Sequence, residues 1–280
     1  MIYPFKWAGN KKDLLPIIQD AYITSKCDRI IEPFCGSAVF SLNTKAVHYE
    51  ISDKNEAVIG LFLYLKNDWD KFNEILAAID LDLIKTNQVE YNKLRQRYND
   101  CEKSILKSVL LFVLLGACTN NLARFNQSNE FNQTWGKRKA QPLKYLTNEL
   151  RDKLNNINFN IYARSYDKIV GIENTFVYCD PPYLLSNDCY HAKEWDIKEE
   201  RKFLDWLKTL ECKWALSNII NKNGEINEAL KTFANKYNLI QINKNYNAKV
   251  GGYSKDTKNI TQEILVTNFD FKVEKEVELF

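Results

Sequence analysis

Long hydrophobic runs are missing from this chain of 280 residues. No segment approaches the roughly 18 uninterrupted apolar residues that cross a bilayer. The opening Met1-Ile2-Tyr3-Pro4-Phe5-Lys6-Trp7 lacks the apolar core of a signal peptide. Both absences argue against a membrane protein, and a cytoplasmic location is expected. Cysteine is present but unpatterned. Cys27, Cys35, Cys101, Cys118, Cys179, Cys189 and Cys212 form no CxxC pair and have no metal-type histidine spacing, so neither a disulfide framework nor a metal site is expected; reduced, mostly buried thiols are. An excess of one charge is lacking too. With 39 basic and 36 acidic residues the net charge is only +3, so any nucleic-acid signal has to be local. Against these absences, 45% hydrophobic and 27% charged residues make the mix of a folded protein. We expect one domain carrying an insertion.

Seven short apolar runs read as strands of an α/β sheet: 29–31, 47–51, 159–162, 175–179, 213–217, 239–242 and 263–267. Helical patterning lies between them, around Lys11 to Ala21 and Glu199 to Leu210, which argues for a wound sheet with helices on both faces. The expected fold is α/β, a seven-stranded, mainly parallel sheet with one late antiparallel strand. The region from about Asn55 to Asp152 breaks the rhythm and reads as helix on helix. Leu106, Val109, Leu110, Val113 and Leu114 form an apolar stripe there, for packing only. A polar stretch from Thr119 to Gln141 follows, too long for an ordinary connection; loops of that kind are often functional.

The chemistry is concentrated in Asp180-Pro181-Pro182-Tyr183, directly after the apolar run Phe176-Val177-Tyr178-Cys179. In open α/β sheets ligands sit beyond the carboxyl ends of strands. Two prolines fix φ and remove two donors, leaving a rigid turn with carbonyls to offer. An exocyclic adenine amine has two N–H donors and a delocalised lone pair. A carboxylate and a backbone carbonyl can accept both hydrogens and turn the nitrogen toward a methyl donor, while Tyr183 can supply a stacking face for an extruded base. The alternative is a proline-stiffened structural turn, although the full tetrapeptide arises by accident in roughly one chain per thousand of this length.

A second element, Glu32-Pro33-Phe34-Cys35-Gly36-Ser37-Ala38-Val39-Phe40, also leads from strand to helix. Small residues at Gly36, Ser37 and Ala38 let a cofactor approach the backbone, but alone the loop is equally an ordinary turn. Asp53 ends the next strand about twenty residues on, where an acid can accept from ribose hydroxyls or, alternatively, cap the following helix.

Together with the order of these segments, Tyr3 to Leu15, Glu32 to Phe40, Ile51 to Asn55, the Asn120 to Arg138 region, Asp180 to Tyr183 and the final Glu263-Ile264-Leu265-Val266-Thr267-Asn268 resemble the Dam-type DNA adenine-N6 methyltransferase family, D12 class, alpha group. The resemblance implies a class I methyltransferase sheet from 1–55 and 156–280, with a helical target-recognition domain at 56–155. It implies an S-adenosylmethionine site from Trp7, Lys11, Phe34, Gly36, Ser37, Ala38, Asp53, Ser165, Tyr166 and Asp180, with catalysis resting on Asp180, Pro181, Pro182 and Tyr183. Asn120, Arg124, Asn126, Lys137 and Arg138 fall in the stretch that resembles the family's DNA-reading segment; their plain alternative is a solvated polar loop. Three departures stand out: Ala38 where the family usually has glycine, Ser165 near a usual acid, and Ala123 where an aromatic is usual. The first keeps a small residue, the second leaves Tyr166 beside the expected adenine pocket, and the third bears on target sequence.

His191 invites a general-base role, but methyl transfer from an activated sulfonium needs alignment and desolvation more than prior proton abstraction. That segment is expected to close over the base, with Trp195 as a packing anchor. The chain is expected to be a monomer with double-stranded DNA as its partner, and the resemblance allows a cognate restriction endonuclease. Rival readings are cytosine-N4 methylation, which a serine in place of Asp180 would favour, methylation of RNA or protein glutamine, and an inactive DNA-binding module.

Overall fold

The computed structural model describes all residues except 8, 122, 127, 129, 138–141, 157, 186–194, 246–259 and 273–280. Among the described residues there are eight strands, in a mixed and mainly parallel arrangement. The chain divides into two compact units, one of residues 1–12 and 34–166, the other of residues 13–33 and 167–280.

In the second unit the strand order is β1 (Arg29–Glu32), β4 (Thr175–Cys179), β5 (Lys213–Lys222), β8 (Ile260–Thr267) and β7 (Asn238–Asn245). The pairs β1–β4 and β4–β5 are parallel, whereas β8 runs antiparallel to both β5 and β7. This is the expected single late antiparallel strand. A two-residue strand β6 (Glu225–Ile226) pairs with β5 and was not anticipated, being too short to carry an apolar pattern. All five residues of β4 are buried, which is why it reads as a continuous apolar run: parallel strands covered on both faces have no polar side to alternate with. Helices α1 (Leu15–Ser25), α9 (Ile197–Thr209) and α10 (Glu228–Ala234) complete this unit. The α9 start is set by Asp196, whose side chain accepts from the Lys198 and Glu199 N–H groups.

In the first unit β2 (His48–Asp53) and β3 (Phe159–Ala163) pair in parallel. The short helix α2 (Val39–Asn43) follows the Gly36 loop. The helical region is as expected: α3 (Glu56–Asn67), α4 (Trp69–Ala77), α5 (Leu81–Thr86), α6 (Gln88–Asp100), α7 (Ile105–Ala117) and α8 (Asn148–Leu154). Here α7 departs from the expectation of a one-sided stripe. Every residue from Ser108 to Ala117 is buried, because α3, α4, α5 and α6 all pack against it. Lost helix-end hydrogen bonds are replaced by side chains: Asn55 accepts from Ala57 and Val58 N–H at the start of α3, and Ser104 accepts from Lys107 N–H at the start of α7. Such caps are each worth ~1 kcal/mol.

Candidate active site

In the first unit the loop after Phe34 is shaped by two residues that accept φ near +50°. Gly36 has φ +47° and Ala38 has φ +50°. At Gly36 glycine is required on two grounds, since a Cβ there would also lie 2.7 Å from Nε1 of the Trp7 indole. Ala38 is buried and starts α2 from a left-handed conformation, so its smallness answers only half of what glycine supplies.

Asp53 ties this loop to the end of β2. Its Oδ2 accepts the Gly36 N–H at 3.1 Å and its Oδ1 accepts the Asn55 N–H at 2.9 Å. The helix-capping role belongs to Asn55. Both Asp53 oxygens are oriented by those two bonds at the carboxyl end of β2, where ligands bind in open α/β sheets. Cys35 N–H donates to Ser52 O at 3.0 Å, closing the loop onto β2 a second time. Phe34 stacks on the buried Tyr166 with ring centroids 5.4 Å apart, and Ser165 beside it is half-buried. Trp7 is held by Tyr3, whose hydroxyl accepts the Trp7 N–H at 3.0 Å and donates to its carbonyl at 3.2 Å. The largely buried Lys11 donates from Nζ to Gly9 O at 2.9 Å. The first unit thus brings together Trp7, Phe34, Gly36 and Asp53, with Tyr166 against Phe34. A left-handed glycine turn packed against the Trp7 indole, two stacked aromatic rings and an oriented carboxylate fit a nucleoside-containing group.

In the second unit the chain leaves β4 as Asp180-Pro181-Pro182-Tyr183, at the sheet edge where β1 also ends, since the two strands are parallel and in register at Ile31 and Val177. Asp180 Oδ1 accepts two hydroxyls, from Tyr183 at 2.9 Å and from Ser217 at 3.0 Å. The Tyr183 hydroxyl also lies 3.1 Å from Glu263 Oε1, and the Tyr178 hydroxyl lies 2.9 Å from Ser217 Oγ. Tyr183 keeps part of its surface exposed, but burial of its hydroxyl, then the neighbouring Asp180 and Glu263, push its pKa well above the usual phenol value. It is therefore a neutral hydroxyl at working pH. The same causes, burial first and Asp180 next, raise Tyr178. Pro181 is buried and Pro182 half-buried.

Trp195 is buried as expected, and its Nε1 donates to Glu200 Oε2 at 2.6 Å. His191 lies outside the described residues.

The polar stretch of the first unit is a built loop. Bridges Cys118↔Trp135 and Phe125↔Phe131 fold it back on itself. It is fastened to α6 by Asn99, which exchanges two hydrogen bonds with the Phe131 backbone, and by Tyr91 and Arg95, which both donate to Gln133 O. At its base Gly136 allows an approach that a side chain would block, since a Cβ would fall 2.6 Å from Cys118 O. Asn120, Arg124 and Lys137 are exposed, Asn126 orders the turn by accepting the Ser128 and Glu130 N–H groups, and Arg138 lies outside the described residues. Ala123, by contrast, is buried.

Sequence reading missed Tyr3, Ser217, Tyr178 and Glu263. The available signal was a polar residue inside an apolar strand, as in Trp214-Ala215-Leu216-Ser217 and Glu263-Ile264-Leu265-Val266.

Comparison with known proteins gives the family of the chain. The profile of the D12 class N6 adenine-specific DNA methyltransferases matches residues 7–248. The modification methylase StsI of Streptococcus sanguinis is 28% identical over 286 residues, covering 96% of this chain and 43% of that protein. The type II methyltransferase M.FokI of Planomicrobium okeanokoites is 27% identical, covering 95% of this chain and 42% of that protein. The chain thus spans less than half the length of these two relatives. The DNA adenine methylase of Salmonella typhi is 34% identical over 205 residues, covering 70% of this chain and 71% of that protein. A profile match over most of the chain, on a mainly parallel α/β sheet, establishes that the chain belongs to the D12 class N6 adenine-specific DNA methyltransferase family.

Proposed function

We propose that this chain is a site-specific DNA methyltransferase that moves a methyl group from S-adenosylmethionine to N6 of an adenine flipped out of double-stranded DNA. The observation that carries this reading is Asp180-Pro181-Pro182-Tyr183 at the carboxyl end of a wholly buried strand, with Asp180 Oδ1 held by two hydroxyls. S-adenosylmethionine, when bound, supplies an activated methyl group. Asp53 accepts hydrogen bonds from the ribose of that cofactor, the Gly36 loop admits it against the backbone, and Trp7, Lys11, Phe34, Ser37, Ala38, Ser165 and Tyr166 line or support its site. Asp180 and the Pro181 carbonyl accept the two amine hydrogens of the extruded base and fix its nitrogen. Tyr183 offers its ring as a stacking face. Unstacking costs a few kcal/mol, offset by that stacking and by phosphate contacts.

The helical region 56–155 serves as the target-recognition domain, and its loop reads DNA. The exposed Arg124 meets base edges and Asn120 and Asn126 shape the contact, while Lys137 and Arg138 hold phosphates. Relatives named modification methylases support a place in restriction-modification, with a cognate endonuclease as partner. Among the described residues no helix is long and apolar enough to cross a membrane.

The test is to incubate the chain with cofactor and unmethylated genomic DNA, then digest and analyse the nucleosides. N6-methyladenine is the expected product. N4-methylcytosine would transfer the reading to the cytosine class, and no modified nucleoside would contradict the activity.

A further inference from the structure

Three adjacent strands bring polar side chains to one face of the sheet beneath the Asp180 motif. Cross-strand partners share a face, and so do residues two apart on one strand. Tyr178 on β4 is in register with Ala215, two residues before Ser217 on β5. Ser217 is in register with Leu265 on β8, two residues after Glu263. Tyr178, Ser217 and Glu263 therefore point the same way, and all three are buried, at 1%, 0% and 2% exposure. Hydroxyls and a carboxylate in such a place cost desolvation energy that apolar side chains would not.

The hydrogen bonds of Tyr178 and Ser217 run in one direction, toward Asp180. Ser217 donates its single hydrogen to Asp180 Oδ1, so the Tyr178 hydroxyl is the donor in the 2.9 Å contact with Ser217 Oγ. The Tyr183 hydroxyl also has one hydrogen, which is shared between Asp180 Oδ1 at 2.9 Å and Glu263 Oε1 at 3.1 Å. Asp180 Oδ1 thus ends the buried Tyr178–Ser217 chain and shares the Tyr183 hydrogen with Glu263, so the ring expected to carry the base is held through its hydroxyl between two carboxylates.

We propose that Ser217 and Glu263 are positioning residues for methyl transfer, fixing the Asp180 carboxylate and the Tyr183 ring in the orientation in which they meet the extruded adenine. This rests on the function proposed above. Neither residue touches the reacting atoms; both act through Asp180 and Tyr183. The chemical gain is preorganisation, since misplacement of a reacting group by about 1 Å can cost about 100-fold in rate.

The experiment uses the full chain, S-adenosylmethionine and a duplex carrying its methylation sequence, with Ser217→Ala, Glu263→Ala, Glu263→Gln and Asp180→Ala. Single-turnover rates are compared with cofactor and DNA dissociation constants, and with the fluorescence of 2-aminopurine at the target position, which reports base extrusion. Ser217→Ala and Glu263→Ala are expected to slow transfer by about 10- to 100-fold with both affinities and the extrusion signal retained. Glu263→Gln, which keeps a polar partner for the Tyr183 hydroxyl, is expected to recover most of the rate. If Glu263→Ala does not fold, Ser217→Ala and Glu263→Gln decide. Normal rates in the alanine variants, or rate losses matched by equal losses of affinity, would overturn the proposal. If Asp180→Ala abolishes transfer while the alanine variants of Ser217 and Glu263 are unimpaired, only this inference fails. Undiminished transfer by Asp180→Ala would remove the underlying reading as well.

Discussion

Asp53 carries two roles in one carboxylate. It orders the Gly36 loop through backbone N–H groups, and on the proposed reading it accepts ribose hydroxyls. Asp53→Ala should therefore weaken S-adenosylmethionine by ~1.5–3 kcal/mol, the scale of hydrogen bonds to a charged acceptor, while the fold survives. Calorimetric titration checks this, and unchanged affinity would remove the ribose role. Ala38 shows where size alone misleads. The resemblance led us to treat alanine there as an adequate small residue, yet its φ of +50° falls where a Cβ is strained. A left-handed conformation costs an L-residue about 1–2 kcal/mol, against the roughly 0.5–1 kcal/mol of extra chain entropy that glycine loses on folding. Ala38→Gly should then leave stability unchanged or raise it by up to about 1.5 kcal/mol. A lowered melting temperature would contradict the strain.

Among elements, the loop from Cys118 to Lys137 holds Arg124 exposed on a folded-back support. An arginine fork can meet guanine O6 and N7 together. With a randomised duplex pool, Arg124→Ala should lose ~1–3 kcal/mol of discrimination at one guanine position and keep its other preferences. A uniform loss across all sequences would make it a backbone contact, the role given to Lys137, whose removal should reduce the salt slope by roughly one unit. Helix α9 offers a pH test. Glu200 is fully buried and bonded to Trp195, Asn227 and Asn218. Burial nevertheless outweighs those donors and raises its pKa from 4.5. A raised carboxyl pKa means that the folded state binds the proton more tightly, so this contribution is fully present below the unfolded value and is lost as pH rises through the folded one. From about pH 4 upward, the melting temperature of Glu200→Gln should fall less than that of the wild type; parallel curves would refute the shift.

The seven principal strands were legible as short apolar runs, most plainly β4, whose burial on both faces leaves no polar side to alternate with. What escaped depended on distant partners. Nothing local marks Ser217 as the partner of Tyr178, 39 residues away, or Glu263 as that of Tyr183, 80 residues away. Helix α7 reads as a stripe but is enclosed on all sides, since sequence periodicity cannot count the helices that will pack around it.

At the scale of the whole molecule, the proposed chemistry divides between a cofactor-binding loop in the first unit and an amine clamp in the second. The central claim is that Asp180 aligns and stabilises the amine as positive charge develops on it, a role realised in the transition state and not in binding. The most direct measurement is single-turnover methyl transfer to a duplex substrate by wild type and Asp180→Ala, with cofactor and DNA affinities measured on the same preparations. The account predicts N6-methyladenine from the wild type and none from the variant, with both affinities nearly unchanged. A variant that still methylates adenine at close to the wild-type rate would contradict it.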